Sequence, residues 1–391
     1  MNLYLIIFTA GTYKVEQVYE KHKDLFVEQE KHFTLHLANY TDSESIPSHE
    51  YKMAFIASGG VENAVVRFFS ILPYPITLLT DGLNNSLAAA LEISAWIQSR
   101  DMKVKIIHGL VPDMVNQVLL HHQAFAAKRS LKKKRIGVIG TPASWLVASH
   151  VDYLLAGQRW GVTYTDISIE TVEKAFHEIT EDEIGPEASL FAHRAKGIQE
   201  TTPEELLRAM RLYKAIRRVC QEENLDALTL SCFSLIQSLK TTGCLALSLL
   251  NDEGIPAGCE GDLQSIMTLL MVKELIGKPG FMANPSFVDL ARNEVLLAHC
   301  SIPTKMAEEF IIRNHPGEVT LFKCGGECLD EYYLSSGHCI ENTNMVTCCR
   351  TQLKVRLDKP ADYFLHNPLG NHHILIQGNY TDLIQEFMQQ N

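Results

Sequence analysis

A chain of 391 residues is longer than one ordinary domain and predicts two or three. With 46% hydrophobic and 21% charged residues it reads as globular, and a formal charge of −11 argues against a nucleic-acid or anionic-membrane partner. No apolar run reaches the roughly 18 residues of a membrane-crossing helix, so no membrane span is expected.

The run 3–8 is apolar, with no basic residues ahead of it and no small-residue cleavage site behind it. It predicts a buried strand, not a signal peptide. Strand and helix patterns then alternate: a helix over 13–29, a strand over 32–38, and a run 52–57 ending in Ser58-Gly59-Gly60 before a helix over 61–71. Strands over 76–80 and 104–108 are followed by helices over 85–99 and 111–128. This alternation predicts a parallel sheet covered on both faces, with ligands bound beyond the carboxyl ends of its strands. Gly59-Gly60 lacks the third glycine of a dinucleotide fingerprint. Glu62 after it reads as a first-turn acid or a substrate contact.

The basic run 128–135 reads as a solvated entry to the next strand. A second α/β unit starts there, with strands over 136–139, 162–167 and 227–230 and helices over 146–155, 170–178, 203–224 and 244–251. Residues 179–185 read as irregular. Thr202-Pro203-Glu204-Glu205 supplies an N-cap threonine, a first-position proline and first-turn acids. After Pro279 come short strand-like runs (281–284, 294–299, 318–323, 331–335, 347–357, 373–377), closed by a helix over 382–390. The ten cysteines all lie in the second half, and without an export signal they predict reduced thiols in a cytoplasmic protein. Cys324 and Cys328 are separated by three residues and no second pair follows, so free thiols fit better than zinc.

Two clusters carry chemistry. Gly258-Cys259-Glu260-Gly261-Asp262 opens an apolar helix over 263–275, and Gly370-Asn371-His372-His373 opens an apolar strand. If the fold joins them, carboxylate oxygens and an imidazole nitrogen meet at one divalent cation. Each has a plainer reading too: Asp262 as an N-cap, Glu260 as an acid complementing the helix dipole, the histidines as a strand-entry pair bonded to backbone. His299 closes an apolar strand before Cys300 and reads equally as a buried core histidine or a site residue. Arg350 can meet an anionic substituent such as a phosphate, carboxylate or sulfonate, or sit in an ordinary ion pair. Ser144 and Trp145 lie in a post-strand loop where a sugar can hydrogen-bond or stack.

The Gly258–Asp262 motif resembles the L-fucose isomerase family and, more distantly, L-arabinose isomerase. So do Ala283-Asn284-Pro285-Ser286, Leu297-Ala298-His299-Cys300 and Asn367-Pro368-Leu369-Gly370-Asn371-His372. Ser58-Gly59-Gly60-Val61-Glu62 and the segment 85–93 look like the front domains of fucose-isomerase-like proteins. The resemblance implies two Rossmann-like parallel-sheet α/β domains, 1–130 and 131–280, followed by a β-rich C-terminal domain, 281–391. It implies a divalent metal, usually Mn²⁺, and interconversion of aldose and ketose sugars by a homo-oligomer (trimer or hexamer). Asp262 and His372 become metal ligands, with Asp262 and Glu260 as ligand and acid/base partners. Arg350, His299, Trp145, Ser144 and Glu62 become substrate-binding residues. The family's further carboxylate ligand, upstream of the acid-x-Asp turn, has no counterpart in the acid-free stretch 240–248. The alternative is therefore a sugar-binding or regulatory protein that kept the scaffold and lost catalysis.

Overall fold

The structure, a computed structural model, describes all residues except 12, 48, 73, 316, 345–348 and 391. It forms two compact units, Met1–Phe125 with Glu386–Asn391, and Ala126–Gln385.

The first unit alternates β1 (Asn2–Phe8), α1 (Val15–Lys21), α2 (Lys23–Glu30), β2 (Thr34–Asn39), β3 (Lys52–Ile56), α3 (Glu62–Arg67), β4 (Ile76–Leu79), α4 (Ser86–Gln98) and β5 (Val104–Ile107). α5 (Val111–Leu131) follows. The five strands are parallel in the order β2-β1-β3-β4-β5. Nearly continuous burial along β1, β3 and β4 is what a sheet covered on both faces requires. The helix expected over 13–29 is two helices: His22 leaves helical geometry (φ −113°) and its Nδ1 meets Asp81 Oδ2 at 2.5 Å.

The second unit begins with β6 (Arg135–Ile139), α6 (Tyr153–Trp160), β7 (Thr163–Ile167), α7 (Ile169–Glu178), α8 (Glu181–Arg194) and α9 (Pro203–Glu222). β8 (Ala227–Leu230), α10 (Ser234–Leu239), α11 (Cys244–Asp252), β9 (Ala257–Cys259) and α12 (Leu263–Ile276) complete its α/β part. The sheet is parallel, in the order β7-β6-β8-β9. The stretch expected to be irregular is the start of α8, and the signal for it was present: Thr180 and Glu183 form a capping box. The helix expected from 146 starts at Tyr153, where Asp152 accepts from the Leu155 N–H at 2.9 Å.

The β-rich remainder is a closed barrel. β10 (Phe281–Asp289), β11 (Glu294–His299), α13 (Thr304–Ala307), β12 (Glu318–Gly325), β13 (Glu331–Asn342), β14 (Thr351–Leu357), α14 (Tyr363–His366) and β15 (His373–Gln377) precede α15 (Thr381–Gln389). The six strands pair antiparallel in the order β10-β11-β14-β13-β12-β15, and β15 returns to β10. Closure leaves no unpaired edge. The strand expected from 347 begins at Thr351; residues 347 and 348 lie outside the described residues. No described helix is long and apolar enough to cross a membrane.

Phe281, Leu297, Leu321, Leu353 and Leu375, all fully buried, line the barrel interior. Leu321→Ala should cost about 2–5 kcal/mol through lost transfer energy and a cavity. A fall in the urea midpoint with unchanged far-UV circular dichroism at zero urea is the expected readout.

Candidate metal centre

The site grows from the end of β9, an edge strand of the second unit's sheet. Glu260 and Gly261 both take the left-handed conformation, at φ +63° and +72°. Any Cβ on Gly261 would meet Pro142 Cα at 2.6 Å, so glycine is required there. The turn is pinned by the Ala143 N–H, which donates to the Glu260 carbonyl at 2.9 Å. It thus holds Glu260 in a sparsely populated conformation, a form of strain that surroundings must over-determine.

Asp262 follows and caps α12: its Oδ1 accepts from the Ser265 N–H at 2.8 Å. Its Oδ2 meets His372 Nδ1, also at 2.8 Å, and both side chains are fully buried. A buried carboxylate accepts, so His372 Nδ1 carries the proton and Nε2 presents its lone pair. That Nε2 is buried and has no hydrogen-bond partner among the described residues. Burial would raise the Asp262 carboxyl, but the Lys323 ammonium, His372 and the Ser265 N–H outweigh it and hold it well below the usual range.

His299, the last residue of β11, faces the same point. Its Nδ1 lies 3.1 Å from Ser301 Oγ, and its Nε2 lies 3.8 Å from Glu260 Oε1. His372 Nε2 is also 3.8 Å from that oxygen, and the two imidazoles meet edge to face with centroids 5.3 Å apart. Glu260 Oε2 accepts from Trp145 Nε1–H at 2.7 Å, and Trp145 leans on Phe233. Burial would raise the Glu260 carboxyl; the two histidines and the indole N–H more than offset it, so it stays ionised. Burial would lower His299, but Cys300 and Glu260 carry it up to about 9.

One ligand atom each from Glu260, His299 and His372 lies within 4.8 Å of the others. Two imidazole nitrogens and one carboxylate oxygen, with an orphaned buried Nε2 among them, suit a first-row divalent cation and leave positions open for substrate oxygens. The residues fit a divalent cation, as the resemblance implied, without choosing which one.

The sequence expectations divide cleanly here. Glu260 and His372 lie in the cluster, whereas both oxygens of Asp262 are committed behind it. His299, expected to orient substrate, supplies a donor atom, and Trp145 holds Glu260. Ser144 is exposed beside Trp145. Arg350 is exposed and pairs with exposed Glu200 at 2.9 Å. Glu62 opens α3 in the first unit. His373 belongs to packing: its Nδ1–H donates to the Asn371 carbonyl, its Nε2 accepts from Tyr363 Oη, and burial drives it down to about 3. Lys323 on β12 was missed. Its ammonium is fully buried, without a hydrogen-bond partner among the described residues, and offsets the charge of Asp262. A lysine within the apolar run of β12 was the available signal.

No protein-family model matches the chain. A protein of Clostridium sp. (strain MSTE9) named sulfoquinovose isomerase is 29% identical over 173 residues, 44% of this chain and 38% of that protein. Proteins of the same name from Priestia megaterium (strain ATCC 12872 / QMB1551) and Alkalicoccus urumqiensis are 23% identical over 176 and 217 residues. These matches cover 44% and 50% of this chain, and 39% and 49% of the two relatives. The chain is similar to sulfoquinovose isomerases. It spans less than half the length of each of these relatives.

Asp262→Asn keeps a capping oxygen but removes the charge that fixes the His372 tautomer. It should weaken Mn²⁺ binding by roughly 10–100-fold, the usual cost of losing such a partner. Calorimetric titration of Mn²⁺ into wild type and variant checks this, with circular dichroism confirming the fold.

Proposed function

We propose that this protein is a divalent-metal-dependent sugar ketol isomerase, and that its substrate is sulfoquinovose or another sugar bearing an anionic group. The convergence of Glu260, His299 and His372 on one point carries the reading. The names of the similar proteins supply the substrate class. Glu260 Oε1 and the two Nε2 atoms would hold the ion, Mn²⁺ by resemblance. When bound, it supplies Lewis acidity that polarises the sugar carbonyl and acidifies the neighbouring C–H.

The protein's own groups do the rest. Glu260 carries the proton between C1 and C2. Its carboxylate faces the cluster, stays ionised, and keeps a second lone pair on Oε2 beyond the one Trp145 occupies. Trp145 and the left-handed turn hold that carboxylate in one orientation. Asp262 is a positioning residue, because capping α12 and bonding His372 use both of its oxygens. Arg350 meets the anionic substituent, exchanging the Glu200 carboxylate for it. The reading extends to a cytoplasmic homo-oligomer of trimeric or hexameric form, on the resemblance alone.

The test is solvent exchange. Wild-type protein with Mn²⁺ and sulfoquinovose in D₂O should place deuterium at C2, read by NMR. Glu260→Gln, which retains an acceptor for Trp145, should slow the exchange by about 10²–10⁴-fold. His299→Ala and His372→Ala should each lose the ion in metal analysis. Full Mn²⁺ occupancy without exchange into sulfoquinovose or any aldose or ketose of a panel would sink the isomerase reading.

A further inference from the structure

Two of the three donor residues have a cysteine beside them: Cys259 precedes Glu260 and Cys300 follows His299. Each thiol faces another. Cys259 Sγ lies 2.9 Å from Cys232 Sγ, Cys300 Sγ lies 3.1 Å from Cys244 Sγ, and the Cys300 thiol also contacts that of buried Cys259. All four are free thiols. A disulfide bond is about 2.05 Å long, so the Cys244–Cys300 pair needs to close by about 1 Å.

The two pairs differ in access. Cys232 and Cys259 are buried, out of reach of a dissolved oxidant. Cys300 is exposed and Cys244 half-buried, and both line a cavity of about 1150 Å³ with Thr242, Ser248, Ile302 and Lys305. Cys244 opens α11, in the stretch where the resemblance places a carboxylate ligand and this chain has none. The mechanism above uses neither thiol.

We propose that Cys244 and Cys300 form a reversible disulfide under peroxide, and that closing it weakens cation binding at His299. One thiol attacks a peroxide oxygen; the O–O bond breaks, one water leaves, and a sulfenic acid remains. The second sulfur attacks that sulfur; the S–S bond forms and a second water leaves, carrying away the last thiol proton. Two thiols are oxidised and one peroxide is reduced to two waters. Contraction of the pair draws on the backbone one residue from His299, whose ring is steadied at Nδ1 by Ser301 Oγ at 3.1 Å. Its Nε2 then leaves the point it shares with Glu260 and His372. This second effect rests on the metal reading; the disulfide does not.

The experiment treats the full chain with hydrogen peroxide, alkylates remaining thiols, and maps peptides by mass spectrometry. In parallel, Mn²⁺ affinity is read from the electron paramagnetic resonance of free Mn²⁺. The expected result is a peptide joining 244 to 300, released by dithiothreitol and absent in Cys244→Ser. The Mn²⁺ Kd should rise roughly 10-fold on oxidation, recover on reduction, and resist peroxide in Cys244→Ser. Cys300→Ser provides the same control should the first variant misfold. Separate alkylation of both residues after peroxide, over-oxidation of Cys300 without a cross-link, or a 232–259 or 259–300 cross-link instead would overturn the disulfide. A cross-link with unchanged Mn²⁺ Kd would overturn the coupling. A cross-link in protein that binds no Mn²⁺ even when reduced would strike the metal reading and leave the disulfide standing.

Discussion

The hydrogen bond between His372 and Asp262 is the constraint on which the candidate centre depends. It joins the start of α12 to the entry of β15, 110 residues apart, with no surface exposed on either side chain. One carboxylate performs three tasks there: it caps a helix, orders two chain segments and fixes a tautomer. An unpaired buried charge would be costly, but the Ser265 N–H, the His372 Nδ1–H and the nearby Lys323 ammonium keep this one satisfied. The burial that makes the contact expensive to assemble also makes it strong once assembled, because little water screens it.

The absence of an acid in 240–248 argued for altered or lost catalysis. The geometry offers another resolution. His299, from the end of a barrel strand, stands where a third donor is needed, so the cluster has one carboxylate and two imidazoles. Such a set carries less negative charge than one with two carboxylates, which favours borderline transition ions over Mg²⁺ or Ca²⁺. In the proposed reaction Glu260 is then the carboxylate that moves the proton, and its placement is tightly determined. Glu260 is held at positive φ, its carbonyl is bonded by Ala143 and its side chain by Trp145. Strain maintained at one residue by its neighbours is the pattern expected where a side chain must point one way.

Much of the fold was legible because its signals are local. Alternating apolar runs and helical stretches gave the two parallel sheets, and the change of period after Pro279 gave the β-rich part. Where sequence reading failed, a local signal was outvoted or overlooked: His22 divides a helix predicted as continuous, and the capping box at Thr180 was read as loop. The site was legible in the same measure. Glu260, Asp262 and His372 stood out because ionisable residues at the ends of apolar segments are hard to explain by packing.

What the sequence determined by itself is the inventory: which strands and helices form, and that carboxylates and imidazoles lie at their ends. These follow from periodicity and turn chemistry within windows of a few residues. Role assignment among those groups needed the tertiary structure. Whether an acid caps, orients or ligates depends on where its two oxygens point, and which member of His372-His373 is a donor depends on which way each turns at the entry to the strand. His373 opens β15 and packs against Tyr363, whereas His372, just before the strand, turns to Asp262. Only barrel closure, a pairing between strands far apart in the chain, brings His299 to the same point.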